Sequence, residues 1–424
     1  MKLLLLLFPF LTFSQGYTSY FTGSPTNINT TTQFGVCLMG GATENDNAMR
    51  WLLQKANGGD VVVLRSSGSN GYNNYLYSQL GVTVNSVETL VITSVAGAIN
   101  PYVLNKVANA EMIWFAGGDQ WNYVSFFKDN ALEDLLNNHI NVKHAPIGGT
   151  SAGMAILGRN YFSAQNGSVT STQALNNPYH SNITLGTNDF INIPILNNVI
   201  TDTHFDNPDR KGRLTTFLAR LNANSFYNNY GIACNEYTAV CIDDQGNTQV
   251  FGDYPNYQEF AYFVVPYCVS NNNPETMQAN VPLSWNFNGS AISTYKVAGL
   301  PNGSTIFNLY NLFVEGIGQG GDWKNWTVNN GVFSEVNGNQ AISCLLNTTD
   351  IVSNKELLYP NPVNDFLRIG ISGIEKIEFF DLKGRSFLVN WNSNVIDVSN
   401  LSKGIYIAKI YVDDKEIIQK VIKN

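Results

Sequence analysis

Charged side chains are scarce in this sequence. Asp, Glu, Lys and Arg make up 13% of its 424 residues, roughly half the share that globular proteins usually carry. The 32 acidic residues outnumber the 24 basic ones, and the basic residues form no patch. Because binding to a phosphate backbone depends on such a patch, we expect no nucleic-acid partner.

Cysteine and histidine are also rare. The five cysteines are odd in number and include no C-x-x-C pair, which favours buried free thiols over a disulfide framework. The four histidines show neither H-x-x-x-H nor H-x-x-E-H spacing. We therefore expect neither a metal site nor a cofactor.

Long apolar runs are absent after the N-terminus. Residues 3–13 follow Lys2 and are apolar except for Thr12, and Ser14 and Gln15 come next. A membrane-spanning helix needs about 20 apolar residues, so this run is too short to span but has the length of a secretory signal. We predict that residues 1–15 are a signal peptide and that the protein is exported.

Short apolar runs alternate with segments of helical spacing from about Phe34 to Val265. Several runs, such as Val61–Leu64 and Met112–Phe115, are apolar at every position. Strands of this kind are buried on both faces, which is typical of a parallel sheet covered by helices. The pattern predicts a layered α/β domain with a mostly parallel sheet over residues 16–268.

The rest of the chain differs in composition and in the spacing of its apolar runs. Residues 269–350 contain short segments rich in Asn, Gly and aromatic residues, which predicts a β-rich extension. The pattern leaves open whether this extension belongs to the preceding domain or forms its own unit. Residues 357–424 contain strand-like runs at short intervals, which predicts a small C-terminal β-sandwich.

A candidate nucleophile lies in the glycine-rich segment Gly148–Gly153. This segment follows a short apolar run and precedes a helix-like run that starts at Ala152. A small-x-Ser-x-Gly pattern at a strand-to-helix turn is a nucleophile elbow, with Ser151 at its tip. The backbone amide of Ala152 is a natural donor to a developing oxyanion. The motif alone is also compatible with an ordinary glycine-rich turn.

His204 is the candidate general base. It follows an apolar run that ends at Thr201, and so would lie at the sheet edge where open α/β folds bind ligands. A serine hydroxyl needs such a base to become a nucleophile at neutral pH. A capping or packing role is the alternative for His204, and salt bridging at a helix start is the alternative for Arg210 and Arg213.

Three ordered motifs resemble the cyanophycinase and dipeptidase E family of serine peptidases. They are Gly117–Gln120, Gly149–Met154, and Asp202–Phe205 followed by Arg210–Leu214, and Leu38–Gly41 fits as well. The resemblance implies a class I glutamine-amidotransferase-like α/β fold and cleavage of acidic or β-aspartyl peptides. It also implies a second oxyanion amide from Gly118 and substrate contacts from Gln120, Asp202, Arg210 and Arg213.

The sequence departs from the family pattern in its substrate arginines and in its third catalytic residue. Pro208 stands where cyanophycinases carry the first of these arginines. Residues 161–175, which supply the orienting glutamate in cyanophycinases, contain no Asp or Glu. Glu236, in a G-I-x-x-x-E-x-T-A segment that matches the family, is our candidate third catalytic residue. Other groups that could orient His204 are Asp202, Gln165 and Gln173.

A second resemblance covers the C-terminal region. Residues 358–363, with the sequence LYPNPV, and residues 401–406, with the sequence LSKGIY, precede a basic end that contains Lys420 and Lys423. Together they resemble the type A sorting domain of the type IX secretion system. The resemblance implies that the protein is secreted or displayed on the cell surface and that the type IX secretion machinery is a partner.

The sequence therefore predicts a secreted serine-type exopeptidase that hydrolyses small acidic or β-aspartyl (isoaspartyl) peptides. A catalytically inactive surface binding protein on the same fold is the alternative. Pro208 and the missing acid favour it, whereas the joint retention of Ser151, His204 and Gly118 disfavours it. A glutamine amidotransferase would need cysteine at position 151. The sequence leaves the oligomeric state open, with a homodimer as one option.

Overall fold

The computed structural model describes residues 15–223, 228–266, 273–338, 358–369, 374–381, 385–392, 395–412 and 415–424. The chain divides into two compact units, Met1–Leu345 and Leu346–Asn424. The signal peptide that we predict for residues 1–15 lies, except for Gln15, outside the described residues. The domain boundaries that we placed at residues 268, 350 and 357 stay predictions.

The first unit contains both helices and strands. Its strands are β1 (Tyr17–Gly23), β2 (Gly35–Met39), β3 (Asp60–Arg65), β4 (Ser86–Ile92), β5 (Met112–Phe115), β6 (Ile147–Thr150), β7 (Asn160–Phe162), β8 (Leu185–Thr187), β9 (Val199–Asp202), β10 (Tyr230–Cys234), β11 (Ala239–Asp243), β12 (Asn247–Phe251), β13 (Phe260–Pro266), β14 (Ile292–Ala298), β15 (Phe307–Asn308), β16 (Gly321–Asn329) and β17 (Val332–Asn337).

Its helices are α1 (Asp46–Lys55), α2 (Gly71–Asn74), α3 (Val95–Ala98), α4 (Pro101–Asn109), α5 (Gln120–Phe127), α6 (Ala131–Asn141), α7 (Ala152–Ala155), α8 (Ser171–Asn176), α9 (Lys211–Ala223) and α10 (Leu309–Glu315). A π-helical turn (Tyr75–Gln79) and two 3₁₀ turns (Pro194–Leu196 and Phe287–Gly289) accompany them. Asparagine begins several of these helices: Asn45, Asn100 and Asn130 each accept backbone N–H bonds at the first turn. The abundant asparagine thus replaces charged residues as helix caps.

The first sheet has the strand order β1-β4-β3-β5-β6-β2-β11-β12-β15. Its central five strands, from β4 to β2, are all parallel, and antiparallel strands extend both edges. Val61–Leu64 and Met112–Phe115 lie in this parallel block and are buried throughout, because helices cover both faces. The predicted layered α/β architecture is confirmed.

The second sheet has the strand order β17-β16-β14-β13-β10-β9-β7-β8. Strand β14 pairs with β13 through a register that places Lys296 opposite Tyr262. Strands β16 and β17 continue the same ladder. Within the described residues, the β-rich segment that follows residue 268 therefore extends a sheet of the first unit. The sequence had left open whether this segment belongs to the preceding domain or forms its own unit.

The β-rich segment also supplies part of the core behind the candidate site. Trp285 and Trp326 are fully buried in one cluster with Phe205 and Tyr262. The ring of Phe205 lies 5.1 Å from that of Tyr262 and 6.2 Å from that of Trp326, measured between centroids. The residue that follows His204 is thus anchored by a side chain more than a hundred positions further along the chain.

Three cysteines lie in the described residues, and all three are free and buried: Cys37, Cys234 and Cys241. Cys37 of β2 stands opposite Cys241 of β11 in the antiparallel register. The prediction of buried free thiols is confirmed for these three, whereas Cys268 and Cys344 lie outside the described residues.

The second unit is built from strands alone in its described part. They are β18 (Leu358–Tyr359), β19 (Phe366–Ile369), β20 (Ile374–Asp381), β21 (Ser386–Phe387), β22 (Asn390–Trp391), β23 (Val395–Asp397), β24 (Gly404–Val412) and β25 (Lys415–Lys423). They form two four-stranded antiparallel sheets, β18-β19-β23-β22 and β21-β20-β24-β25. Side chains from both sheets, including Leu367 and Phe379, share one core. The predicted β-sandwich is confirmed.

Candidate active site

The candidate site lies at the carboxyl edge of the parallel block. Strands β2, β5 and β6 are parallel and consecutive in space, so the residues that follow them meet at one edge. These residues are Gly40–Gly41 after β2, Gly117–Gly118 after β5 and Ser151 after β6. His204 follows β9 of the second sheet, and its backbone N–H donates to Gly40 O at 2.7 Å.

Ser151 is the single residue between the end of strand β6 and the start of helix α7. Its φ of 52° and ψ of −118° place it in the left-handed half of conformational space, which is strained for a residue with a side chain. The close packing around it needs glycine: a side-chain carbon at Gly149 would lie 2.6 Å from the carbonyl carbon of Gly153. The sharp turn that we predicted from the GGTSAG segment is present.

The imidazole of His204 lies between a hydroxyl and a carboxylate. Its Nε2 is 2.8 Å from Ser151 Oγ, and its Nδ1 is 2.6 Å from Glu236 Oε1. The side chains of His204 and Glu236 are mostly buried, with 25% and 20% of their surface exposed. When Nδ1–H donates to the carboxylate, Nε2 is left to accept the proton of the serine hydroxyl.

Glu236 is held as a carboxylate in this position. The hydrogen bond with His204 is the main cause that lowers the pKa of Glu236 below its ordinary value of 4.5, and burial acts in the opposite direction. The backbone N–H of Glu236 donates to Asp206 Oδ1 at 3.0 Å, and Asn207 Nδ2 lies 3.4 Å from Glu236 Oε2. Charge and geometry both favour the ionised form.

Gly41 sets the position of the imidazole from the other side. A side-chain carbon at this position would overlap Nε2 and Cε1 of His204, and the φ of 119° is itself one that glycine favours. The carbonyl oxygen of Gly41 accepts the backbone N–H of Tyr237 at 3.0 Å. The Gly40–Gly41 turn therefore contacts both the base and the segment that carries Glu236.

The turn at Gly117–Gly118 lies beside the serine. A side-chain carbon at Gly117 would be 3.4 Å from Ser151 Cβ, and Gly118 has a φ of 147°. Ala152 is the first residue of α7 and is buried. Ala152 is thus next to Ser151 in sequence, and Gly118 follows the glycine that lies beside the Ser151 side chain. Gly118 and Ala152 are the two residues whose amides we predict to bind an oxyanion.

Asp202 does not reach the imidazole, contrary to one of our alternatives for the orienting acid. Its Oδ2 accepts Arg213 Nε at 2.9 Å, its Oδ1 contacts Arg213 Nη2, and both residues are buried. The guanidinium also lies over the rings of Phe162 and Phe217, at 5.5 and 5.9 Å. Asp202 and Arg213 therefore neutralise each other inside the protein, and we no longer count them as direct substrate ligands.

Arg210 is placed differently from Arg213. Its Nη1 donates to Thr203 O at 2.8 Å, and no carboxylate of the described residues lies within ion-pair distance. Burial is the main cause that lowers the pKa of Arg210, and the charge of Arg213 adds to it. A half-buried guanidinium without a protein carboxylate is suited to binding a carboxylate from outside.

The glutamines have separate positions. Gln120 begins α5, three residues after Gly117, and its Nε2 donates to Phe162 O at 3.2 Å. Gln173 forms a capping box with Thr170 at the start of α8. Neither Gln165 nor Gln173 is hydrogen-bonded to His204, whose Nδ1 is taken by Glu236.

Sequence reasoning did not identify the groups that hold Glu236 and the imidazole. Asp206 and Asn207 contact Glu236 although it lies 30 and 29 positions after them, which no local pattern reveals. Gly41 had one signal, namely a Gly-Gly pair at the end of a buried strand, which we read only as part of a family resemblance.

Two further findings apply only to the described ranges of the chain. No group of three or more His, Cys, Asp or Glu side chains is arranged to hold a metal ion there. None of the helices in that part is long and apolar enough to cross a membrane.

Comparison with known families confirms both resemblances. Residues 71–250 match the sequence model of Peptidase family S51. Residues 357–424 match the model described as a secretion system C-terminal sorting domain, which marks the protein as secreted or displayed on the cell surface.

Individual relatives agree with the S51 match. Cyanophycinase from Synechococcus elongatus is 27% identical over 203 residues, which are 48% of this chain and 56% of that protein. Cyanophycinase from Trichormus variabilis is 24% identical over 172 residues, 41% of this chain and 51% of that protein. The chain thus spans about half the length of these relatives. A crystal structure of a peptidase from an acI-B1 Actinobacterium shares 15% identity over 55% of this chain and 94% of its own, with a TM-score of 0.39.

Proposed function

We propose, starting from the S51 match of residues 71–250, that this chain is a secreted serine peptidase for acidic or β-aspartyl peptides. In this proposal Ser151 is the nucleophile, His204 is the general base and Glu236 orients the base. The observation that carries it is the continuous hydrogen-bonded chain from Ser151 Oγ through both ring nitrogens of His204 to Glu236 Oε1, with distances of 2.8 and 2.6 Å.

The reaction follows from these contacts. Ser151 Oγ attacks the carbonyl carbon of the scissile bond while its proton passes to His204 Nε2. Glu236 stabilises the imidazolium that forms. The amides of Gly118 and Ala152 stabilise the negative charge on the carbonyl oxygen. His204 then donates its proton to the leaving amine as the C–N bond breaks, which leaves the acyl group on Ser151 Oγ. Water attacks this ester while His204 Nε2 takes its proton, and the proton passes to Ser151 Oγ as the acid is released.

The substrate class follows from Arg210. A half-buried guanidinium that forms no ion pair within the described residues favours a substrate that brings its own carboxylate. A free α-carboxylate or the α-carboxylate of a β-linked aspartyl residue would provide it, and Gln120 would supply a neutral contact beside it. We therefore expect an exopeptidase that acts on small peptides, and the sorting domain gives the type IX secretion machinery as its export partner.

The structure weakens one argument for the inactive alternative. That argument was the absence of an acid from residues 161–175. The contact of 2.6 Å between Glu236 Oε1 and His204 Nδ1 supports Glu236 as the acid in our proposal. Pro208 remains a departure from the cyanophycinase pattern, and we expect it to narrow the substrate range and to make cyanophycin itself a poor substrate.

Two measurements test the proposed function. A fluorophosphonate probe should label the wild-type chain on Ser151, as mapped by peptide mass spectrometry, and should not label Ser151→Ala. Dipeptides with a β-aspartyl bond should be hydrolysed by the wild type and not by the variant. A chain that is neither labelled nor able to cleave any acidic peptide would instead be a binding protein.

A further inference from the structure

Ser66 follows β3 directly and begins a turn that Arg65 holds in place. The guanidinium donates from Nε to Ser67 O at 2.5 Å and from Nη1 to Ser69 O at 2.7 Å. Gly68, with a φ of 89°, lies so close to this guanidinium that a side-chain carbon there would overlap it. The turn is therefore fixed around Arg65, although most of its residues are exposed.

The hydroxyl of Ser66 is buried and unpaired beside the candidate oxyanion site. Ser66 is 6% exposed, and its Oγ has no hydrogen-bond partner among the residues that the structure describes. A side-chain carbon at Gly118 would lie 3.6 Å from this Oγ and 3.8 Å from the Oγ of the exposed Ser67, and one at Gly117 would lie 3.8 Å from Ser151 Oγ. Two serine hydroxyls thus lie close to Gly118, and the Ser66 hydroxyl is the one that is buried and unpaired.

A buried hydroxyl without a partner is destabilising, so such a group in a folded protein usually binds water, an ion or a ligand. Strand β3 adjoins β5, so Ser66 reaches the same sheet edge as the Gly117–Gly118 turn. Gly118 carries no side chain that could fill the space next to the hydroxyl. That space is open to a group that binds over Gly118, which in the proposed reaction is the acyl part of the peptide.

We propose that Ser66 is a substrate-contacting residue whose hydroxyl donates a hydrogen bond to the acyl group of the bound peptide. The contact lies on the Gly118 side of the carbonyl carbon that Ser151 attacks. This inference rests on the proposed function and deepens it, because it adds a donor that the family motifs do not contain. A donor in this place gains strength as negative charge develops on the carbonyl oxygen, so its main effect is on kcat rather than on KM.

The test compares Ser66→Ala with Ser69→Ala in the full chain. Both variants lose one serine hydroxyl from the same turn, but Ser66 is buried next to Gly118, whereas Ser69 is exposed and has no atom within 4 Å of a side-chain carbon placed at Gly118. With a β-aspartyl dipeptide, we expect kcat of Ser66→Ala to fall about 10- to 100-fold at nearly constant KM, and kcat of Ser69→Ala to stay within about twofold. The melting temperature of Ser66→Ala should be unchanged or higher, because the substitution removes an unpaired buried hydroxyl.

Several results would overturn the inference. An unchanged kcat in Ser66→Ala would do so. An equal loss in Ser69→Ala would assign the effect to the turn rather than to the Ser66 hydroxyl. A lower melting temperature together with a lower kcat in Ser66→Ala would indicate a structural role. These outcomes leave the proposed function intact as long as the wild type is active and Ser151→Ala is not. A wild type that neither cleaves the dipeptide nor reacts with a fluorophosphonate would remove both.

Discussion

The carboxylate of Asp202 and the guanidinium of Arg213 bind each other through two contacts in the interior of the protein. Asp202 lies two residues before His204 in the chain. This pair joins the end of β9 to the first turn of α9, so it fixes the segment between them. That segment contains His204 and Arg210. A buried pair of this kind contributes to geometry more than to net stability, but loss of one partner leaves an uncompensated charge.

We predict that Asp202→Asn strongly destabilises the first unit. Arg213 would remain buried without its partner, so the free energy of unfolding should fall by about 3–5 kcal/mol. Asp46→Asn is the matched control, because the Asp46–Arg50 pair is exposed and its loss should cost at most about 1 kcal/mol. Urea unfolding of both variants measures the difference, and equal losses would show that the buried pair has no special role.

Replacement of Glu236 by glutamine should change both activity and the pH dependence of stability. Because an amide cannot stabilise an imidazolium as a carboxylate does, kcat at pH 7 should fall about 10³- to 10⁴-fold. The pKa of Glu236 is lowered in the folded state, so its ionised form stabilises the fold above the ordinary value of 4.5. The stabilisation is lost as the pH falls through the folded-state pKa.

Thermal melting between about pH 3 and pH 8 tests the second effect, because the protein's carboxylates titrate in this range. The wild type should melt at a higher temperature than Glu236→Gln near neutral pH, and the two curves should converge at the acid end. A gap that stays constant over the whole range would mean that ionisation of Glu236 does not contribute.

A side chain at position 41 should displace the imidazole. Gly41→Ala places a carbon where the His204 ring now lies, so labelling of Ser151 by a fluorophosphonate should slow at least about 100-fold, since small misplacement of catalytic groups has effects of this size. Gly81→Ala is the control, because Gly81 also has a positive φ but no atom within 4 Å of the added carbon. Both variants carry the same kind of backbone cost, so a slow Gly81→Ala enzyme would contradict this explanation.

Arg210→Gln should affect only substrates that carry the matching carboxylate. For a β-aspartyl peptide, kcat/KM should fall about 10²- to 10³-fold, because a charge-assisted and half-buried contact is lost. For the same peptide with its carboxylate converted to an amide, the variant and the wild type should be alike. If the variant loses activity equally on both peptides, Arg210 acts on the structure and not on the substrate.

The sequence was informative wherever a signal was local. Ser151 directly follows the buried strand β6, and His204 lies two residues after the end of the buried strand β9. The position of a residue after a parallel strand also gives its place at the sheet edge. The parallel block of the first sheet was predictable for the same reason, since a continuous apolar strand admits few other environments.

The contact between His204 and Glu236 was not determined by local signals. Asp202 is nearer to His204 in sequence than Glu236 is, yet Asp202 ends a strand and binds α9, while His204 has a φ of 44° and turns towards β10. Such a reversal depends on backbone torsions and on contacts between distant segments. The pairing of β14 with β13 was undetermined for the same reason, because composition predicts a strand but not its neighbour.

The stacking of Phe205 on Trp326 has a consequence for the timing of biosynthesis. A ribosome has synthesised Ser151, His204 and Glu236 before it reaches residue 326, so the aromatic core behind Phe205 is completed only by a late part of the chain. Strands β14, β16 and β17 are likewise late additions to the second sheet. The surroundings of His204 are therefore complete only after residues far from any of the sequence motifs have been made.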